Sequence, residues 1–275
     1  MTRTATPATA TPYATHPVHV EEAGEKGPLV LCLHGIGSSS ASFAAQLEGL
    51  APVARVVAWD APGYGRSPDP EGPLTLDDYA DTAARLIAER GGDAHVVGVS
   101  WGGVIAMRLA VRHPGLVASL VIADSTRGSG TAEEKAAAMR ARGEQLAEAG
   151  PRAFAERRAP RLLSPQASPE QVRAAVDIMA DAVRLPGYGH AAESMAATDL
   201  TGELERITAP ALVLCGEDDQ VTGIAESQII AGAMRRGVFV IMTGAGHLAN
   251  QEQPAAFNDW VRAHLRIAAR LPESD

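Results

Sequence analysis

The chain has 275 residues, of which 46% are hydrophobic, and its 24 basic and 33 acidic side chains give a formal net charge of −9. This length and apolar content are enough for the core of one large α/β domain, whereas the acidic balance argues against a nucleic-acid partner. The apolar runs are far shorter than a membrane span, so we expect no membrane partner.

The first 17 residues are rich in Thr, Ala and Pro and contain no continuous apolar segment. This composition is typical of a flexible tail and not of a secretory signal peptide, which favours a cytoplasmic location. The two cysteines, Cys32 and Cys215, lie inside or at the end of apolar runs. Their position predicts buried free thiols and no disulfide framework.

Short apolar runs alternate with helix-like segments through most of the chain. Strands are predicted at 18–20, 28–33, 54–59, 94–99, 116–123, 211–215 and 238–242. Helices are predicted at 42–50, 76–90, 104–111, 224–234 and 254–267, and Thr75 is the expected N-cap of the second. This alternation predicts an α/β fold with a mainly parallel sheet and helices on both faces. Ligands of such sheets bind beyond the carboxyl ends of the strands.

Residues 125–203 break the alternation, because they contain no strand-like run and several prolines. We interpret them as an inserted helical cap over the active edge of the sheet, although a further part of the ordinary helical layer is the alternative. The predicted organisation is therefore a flexible tail over 1–17, a core domain over 18–124 and 204–275, and a cap over 125–203. Within the cap, Arg157, Arg158 and Arg161 are interpreted as a solvated face and not as an anion site.

The most informative motif is Gly98-Val99-Ser100-Trp101-Gly102-Gly103, which lies between a predicted strand and a predicted helix. This is the context of the G-x-S-x-G nucleophile elbow. The glycines remove Cβ atoms that would clash in a sharp turn, and the N-terminus of the following helix favours negative charge near the serine. One short motif is weak evidence alone, so its flanking elements and its partners carry the interpretation.

Suitable partners follow two later strands. Ser100, Asp219 and His247 stand in the order nucleophile, acid, base. A serine hydroxyl is a poor nucleophile without a histidine to take its proton and a carboxylate to fix the imidazole tautomer. Asp124 also follows a predicted strand and is the rival of Asp219 as the acid.

With these motifs the sequence resembles the α/β-hydrolase superfamily from about residue 28 to residue 265. The matching signatures are His34-Gly35, the D-A-P-G-Y-G run at 60–65 with Ser67, the elbow, the G-E-D-D run at 216–219, and Gly246-His247 followed by E-Q-P at 252–254. The resemblance implies a triad of Ser100, Asp219 and His247, and an oxyanion hole made by the backbone N–H groups of Ile36 and Trp101. We find no metal motif, P-loop or dinucleotide fingerprint, so we expect no metal and no cofactor.

The serine at the nucleophile position narrows the range of possible activities, since the related epoxide hydrolases and haloalkane dehalogenases use an aspartate at that position. Val99 and Leu248 stand where carbon–carbon bond hydrolases usually carry Asn and Trp. Residues 247–254 look like those of 3-oxoadipate enol-lactonases and similar small esterases. The resemblance thus implies a serine hydrolase that cleaves a small, largely hydrophobic ester or lactone through an acyl-enzyme. A carbon–carbon bond hydrolase, a cofactor-free perhydrolase and a non-catalytic ligand receptor stay open as alternatives, and the sequence leaves the oligomeric state undetermined.

Overall fold

The structure is a computed structural model that describes residues 16–271, so nearly all of the tail predicted at 1–17 lies outside the described residues. Within them, seven strands form one sheet: β1 (Val20–Ala23), β2 (Leu29–Leu33), β3 (Arg55–Trp59), β4 (Ala94–Val99), β5 (Val117–Ala123), β6 (Ala211–Gly216) and β7 (Gly237–Met242). Their spatial order is β1-β3-β2-β4-β5-β6-β7. Only the β1–β3 pairing among them is antiparallel.

Nine α-helices accompany the sheet in the described part of the chain: α1 (Ala44–Leu50), α2 (Leu76–Glu89), α3 (Trp101–Arg112), α4 (Glu133–Arg158), α5 (Pro169–Ala182), α6 (Gly187–Ala196), α7 (Gly223–Ala233), α8 (Ala249–Glu252) and α9 (Pro254–Ala268). The predicted strands and helices are found with shifts of a few residues. The predicted helix at 42–50 begins with a 3-10 turn, Ser40–Phe43. Thr75 caps α2 as expected, and its side chain exchanges hydrogen bonds with Asp78.

The core lies on both faces of the sheet, because a parallel sheet carries helices on each side. Alternate residues of β2 point to opposite faces: Leu29, Leu31 and Leu33 join one hydrophobic cluster, and Val30 and Cys32 join the other. Both cysteines are buried and free, as predicted. No helix in residues 16–271 is both long enough and apolar enough to span a bilayer.

All residues of the segment 125–203, here called the insertion, are described, and they form helices and turns without a strand. α4 packs against α5 and α6. It runs as one element but kinks at Gly150, whose φ of 72° is left-handed, immediately before Pro151. The insertion connects β5 to β6, and its helices form one wall of a cavity at the carboxyl ends of the strands. That it is a separate cap domain stays a prediction.

Candidate active site

Ser100 lies at the apex of the turn that joins β4 to α3, with a strained backbone conformation (φ 55°, ψ −117°). The turn brings other backbone atoms so close that glycine is required on both sides. A Cβ on Gly102 would lie 1.9 Å from the carbonyl oxygen of Leu33, and a Cβ on Gly98 would lie 2.3 Å from that of Gly102. The strand–turn–helix arrangement that the motif predicts is therefore present.

The three residues predicted as a triad lie together in hydrogen-bonding order. Ser100 Oγ is 2.9 Å from His247 Nε2, and His247 Nδ1 is 3.1 Å from both carboxylate oxygens of Asp219. His247 and Asp219 are buried, whereas Ser100 is half-buried. Ser100 is thus the most exposed of the three, and it lines the cavity together with His247.

Asp219 is held as a charged acceptor by the turn that follows it. Its Oδ1 accepts hydrogen bonds from the N–H groups of Val221 (2.7 Å) and Thr222 (3.2 Å), and its Oδ2 accepts one from the Thr222 hydroxyl at 2.5 Å. Burial alone would raise the pKa of Asp219, but hydrogen bonds from His247 and from this turn hold it well below its ordinary value. An ionised acceptor at Nδ1 favours the His247 tautomer whose Nε2 is free to take a proton from serine.

Asp124, the rival acid, is buried behind the triad and has other partners. Its carboxylate accepts from the backbone N–H groups of Gly216 (2.8 Å) and Ala249 (3.2 Å). Burial, together with the neighbouring charge of Asp219, raises the pKa of Asp124 to about 7. Since its oxygens bond the backbone and not the imidazole, the geometry favours Asp219 as the partner of His247.

The loop after β2 carries Gly35 and Ile36 to Ser100, and a buried histidine supports it. His34 Nε2 accepts from the N–H of Ala61 (3.0 Å), so its Nδ1 carries the proton and donates to the carbonyl of Gly35 (2.8 Å). Burial lowers the pKa of His34, which favours this neutral form. Ile36 lines the same cavity as Ser100, and so does Trp101. The oxyanion role of these two residues stays a prediction.

A second buried carboxylate fixes the loop that carries His247. Glu252 accepts from the N–H of Gly246 through Oε1 (2.8 Å) and from the N–H of Ser164 through Oε2 (2.7 Å). The N–H of His247 donates to the carbonyl of Leu162 at 2.7 Å. Glu252 therefore joins the histidine loop to the insertion. The sequence signature contains this residue, but nothing in its spacing reveals the bridge.

The cavity at Ser100 and His247 has a volume of about 260 Å³. Apolar side chains of the insertion line much of its wall, including Met139, Leu162 and Met179. Two arginines of α4, Arg142 and Arg158, also line it.

The interpretation of Arg158 as part of a solvated face is wrong, because its side chain is half-buried at the cavity, whereas Arg157 and Arg161 are exposed. Composition alone does not distinguish Arg158 from Arg157 and Arg161. Arg142 lies in a helix rich in Ala, Arg and Glu, where no motif in the sequence distinguishes it.

One group of side chains in the described residues has the spacing of metal ligands. Potential ligand atoms of Asp124, Cys215 and Asp219 lie within 4.8 Å of one another. However, both carboxylates already accept N–H hydrogen bonds, and burial raises the pKa of Cys215 to about 12, so its thiol stays protonated. This donor set does not fit a metal ion, and we assign none to it.

Comparison with known proteins places these features in a family. A family model described as "Alpha/beta hydrolase family" matches residues 30–260. 3-Oxoadipate enol-lactonase 2 of Acinetobacter baylyi is 28% identical over 243 residues, covering 87% of this chain and 89% of that protein. 2-(Acetamidomethylene)succinate hydrolase of Mesorhizobium japonicum is 30% identical over 249 residues, covering 86% and 87%.

A solved structure of a thermophilic esterase from Thermogutta terrifontis, with malate bound, is similar to this fold with a TM-score of 0.83. The two sequences are 29% identical, and the match covers 91% of this chain and 93% of the esterase chain. The predicted fold and the predicted enzyme class are confirmed by these matches. The chain belongs to the alpha/beta hydrolase family and is a hydrolase, as its motifs predict.

Proposed function

We propose that this protein is a serine hydrolase that cleaves a carboxylic ester or lactone of a small substrate through an acyl-enzyme at Ser100. The observation that carries the proposal is the continuous hydrogen-bonded path from Ser100 Oγ through the His247 imidazole to the Asp219 carboxylate. The names of the relatives, which include a lactonase and an esterase, support the bond type.

In the first half-reaction Ser100 Oγ attacks the substrate carbonyl while His247 Nε2 takes the hydroxyl proton. The charged Asp219 stabilises the imidazolium that forms. The developing oxyanion is expected at the backbone N–H groups of Ile36 and Trp101, where α3 begins and its dipole favours negative charge. When the tetrahedral intermediate collapses, the carbon–oxygen bond to the alkoxide breaks and His247 returns its proton to that oxygen.

The second half-reaction repeats these steps with water as the nucleophile. His247 takes a proton from water as the water oxygen attacks the acyl-enzyme, and it then protonates Ser100 Oγ as that bond breaks. The products are a carboxylic acid and an alcohol, which remain in one molecule if the substrate is a lactone. A cavity of about 260 Å³ with an apolar wall is suited to a small substrate.

The decisive experiment is the intact mass of the protein after exposure to a fluorophosphonate. Wild type should gain one adduct, and Ser100→Ala should gain none. Ser129→Ala is the matched control, because Ser129 is another buried serine of the same cavity and its loss should leave the adduct in place. A folded wild type that takes no adduct would contradict the proposal and favour the ligand-receptor alternative.

Substrate profiling then separates the remaining alternatives. We expect turnover of short-chain esters and of five- or six-membered lactones by wild type but not by Ser100→Ala. Product analysis with added hydrogen peroxide tests the perhydrolase alternative, because a perhydrolase would form a peracid in place of the acid. Turnover of a carbon–carbon bond substrate without any ester or lactone turnover would overturn the assignment.

A further inference from the structure

Two arginines of the insertion line the cavity of Ser100 without a carboxylate to neutralise them. Arg142 and Arg158 lie in α4 on either side of the kink at Gly150, and both are half-buried. Neither forms an ion pair with any residue in 16–271. One terminal nitrogen of Arg142 lies 3.3 Å from the sulfur of Met139, and Arg142 also interacts with the Tyr188 hydroxyl.

Most other arginines in the described residues pair with a carboxylate. Carboxylates lie within salt-bridge distance of Arg66, Arg85, Arg90, Arg108, Arg112, Arg127, Arg140, Arg152, Arg173, Arg184, Arg206 and Arg262. Glu226 is the one acidic residue among the described residues that line the cavity, and Arg127 already binds its carboxylate at 2.8 Å. Acidic side chains are therefore abundant on this protein but absent from this part of the described cavity wall.

The two guanidinium groups lie close enough to affect the same neighbours. Burial, and then the positive charge of Arg158, lower the pKa of Arg142 to about 10, at which it is still protonated at neutral pH. Burial raises the pKa of Tyr188, and the positive charges of Arg158 and Arg142 both act to lower it. Holding two cations together in a partly desolvated wall costs free energy, and binding an anion would offset that cost.

We propose that Arg142 and Arg158 bind a carboxylate of the substrate, so that the ester or lactone reaching Ser100 carries a free acid group at its far end. The inference rests on the proposed function for its chemistry at Ser100. A guanidinium group donates two parallel hydrogen bonds to a carboxylate, which fixes its orientation as well as its charge. Apolar residues line the cavity beside the arginines and suit a short carbon chain. The substrate is then amphipathic, and not largely hydrophobic as the sequence predicts.

The test compares esters that differ only in the free acid. Monomethyl esters of the four- to seven-carbon straight-chain diacids carry the acid, and the matching dimethyl esters do not. Proton release in a pH-stat measures kcat/KM for both series with wild type, Arg142→Gln, Arg158→Gln and the double variant. Arg157→Gln is the matched control, because this neighbouring arginine is exposed and lies outside the cavity.

Each single variant should lose about 10- to 100-fold in kcat/KM toward the best monomethyl ester, mainly through a higher KM, because a hydrogen bond to a charged group contributes that much. Toward the dimethyl esters each should stay within about twofold of wild type. Arg157→Gln should match wild type on both series. Equal losses on both series, or no loss on either, would overturn the inference while leaving the proposed hydrolase intact.

A binding measurement separates this inference from the proposed function. Calorimetry with the free diacids on Ser100→Ala should show binding that the added Arg142→Gln and Arg158→Gln changes abolish, whether or not any ester is hydrolysed. Inorganic phosphate that competes as strongly as the diacid would overturn the carboxylate assignment in favour of a general oxyanion site. Arg142→Lys and Arg158→Lys keep the charge, so they should retain part of the preference for the acid esters even if the glutamine variants fold poorly.

Discussion

Asp219→Asn isolates the part of the site that the sequence left open. Oδ1 accepts two backbone N–H bonds, from Val221 and Thr222, so the amide oxygen of the variant must take that place. The amide NH2 then takes the place of Oδ2, 3.1 Å from His247 Nδ1. Oδ1 also lies 3.1 Å from Nδ1, but the N–H groups of Val221 and Thr222 already occupy its two lone pairs. The NH2 donor at the Oδ2 position therefore favours the tautomer in which Nδ1 accepts and the imidazole proton lies on Nε2. Nε2 then faces Ser100 Oγ as a donor and cannot take its proton.

This exchange of tautomers predicts a loss in kcat of about 10³- to 10⁴-fold, the size known for the same change in serine proteases. A loss of that size corresponds to about 4–5.5 kcal/mol in the activation barrier. KM should change little, since Asp219 does not line the cavity. The fold should survive, because asparagine has nearly the same shape and the Thr222 hydroxyl can rotate to accept from the new NH2 group.

The assay is steady-state hydrolysis of a short-chain ester, with Asp124→Asn as the control. Asp124 bonds Gly216 and Ala249 and not the imidazole, so its variant should keep kcat within about tenfold of wild type. Circular dichroism and the melting temperature confirm that both variants are folded. A large loss in Asp124→Asn beside a small one in Asp219→Asn would refute this reasoning and make Asp124 the acid.

Three further predictions concern stability and metals. Gly102→Ala should lose more than about 4 kcal/mol of unfolding free energy or fail to fold, since its Cβ would lie 1.9 Å from the Leu33 carbonyl oxygen. Gly232→Ala is the matched control, because the space around its Cβ is open, and urea unfolding should show a gain of about 0.4–1 kcal/mol. Equal changes in the unfolding free energy of the two variants would contradict the argument. Burial raises the folded-state pKa of Asp124 from 3.8 to about 7, so its contribution to stability is full below pH 4 and is lost as the pH rises through 7. In Asp124→Asn the free energy of unfolding should therefore fall less steeply between pH 4 and pH 7, and the same slope as in wild type would refute this prediction. Ester hydrolysis should persist after dialysis against EDTA, and an EDTA-sensitive rate would contradict the mechanism.

The fold and the elements of the site follow from local patterns that tertiary contacts do not override. The run at 211–215 is continuously apolar, and the run at 94–99 is apolar except for the buried His95, because both faces of a parallel strand are buried. The same patterns locate the residues that end each strand, and parallel strands bring those ends to one edge of the sheet. The sequence alone therefore predicts that Ser100, Asp219 and His247 lie near one another.

The choice between Asp219 and Asp124 could not be made from residue order, because both follow a strand. It depends on which backbone N–H groups each carboxylate meets, and that is fixed by turns whose geometry no motif encodes. Asp219 turns back onto the N–H groups of its own following residues. Asp124 reaches across to the end of β6 and the start of α8. Gly216 and Ala249 lie 92 and 125 positions from Asp124 in the sequence, so no local pattern indicates these contacts.

The exposure of the arginines in α4 also could not be predicted from the sequence. A helix of alternating small and charged residues presents arginines in every direction, so composition cannot tell which one meets solvent. Successive residues of an α-helix point about 100° apart, so Arg158 can line the cavity while Arg157, one position earlier, is exposed. Gly150 and Pro151 also kink the helix, and the composition does not give the direction in which its second half then runs.

The proposed triad and the proposed anion site belong to different parts of the chain, but hydrogen bonds connect these parts. Ser100, Asp219 and His247 lie at the carboxyl edge of the sheet, whereas the proposed anion site lies on the insertion. Glu252 bonds the N–H groups of both Gly246 and Ser164, and the N–H of His247 donates to Leu162. A movement of the insertion would therefore disturb the imidazole as well as the cavity wall. For this reason we expect Glu252→Gln, which replaces one acceptor oxygen by a donor, to lower kcat and the acid-ester preference together, whereas Arg142→Gln should lower only the preference.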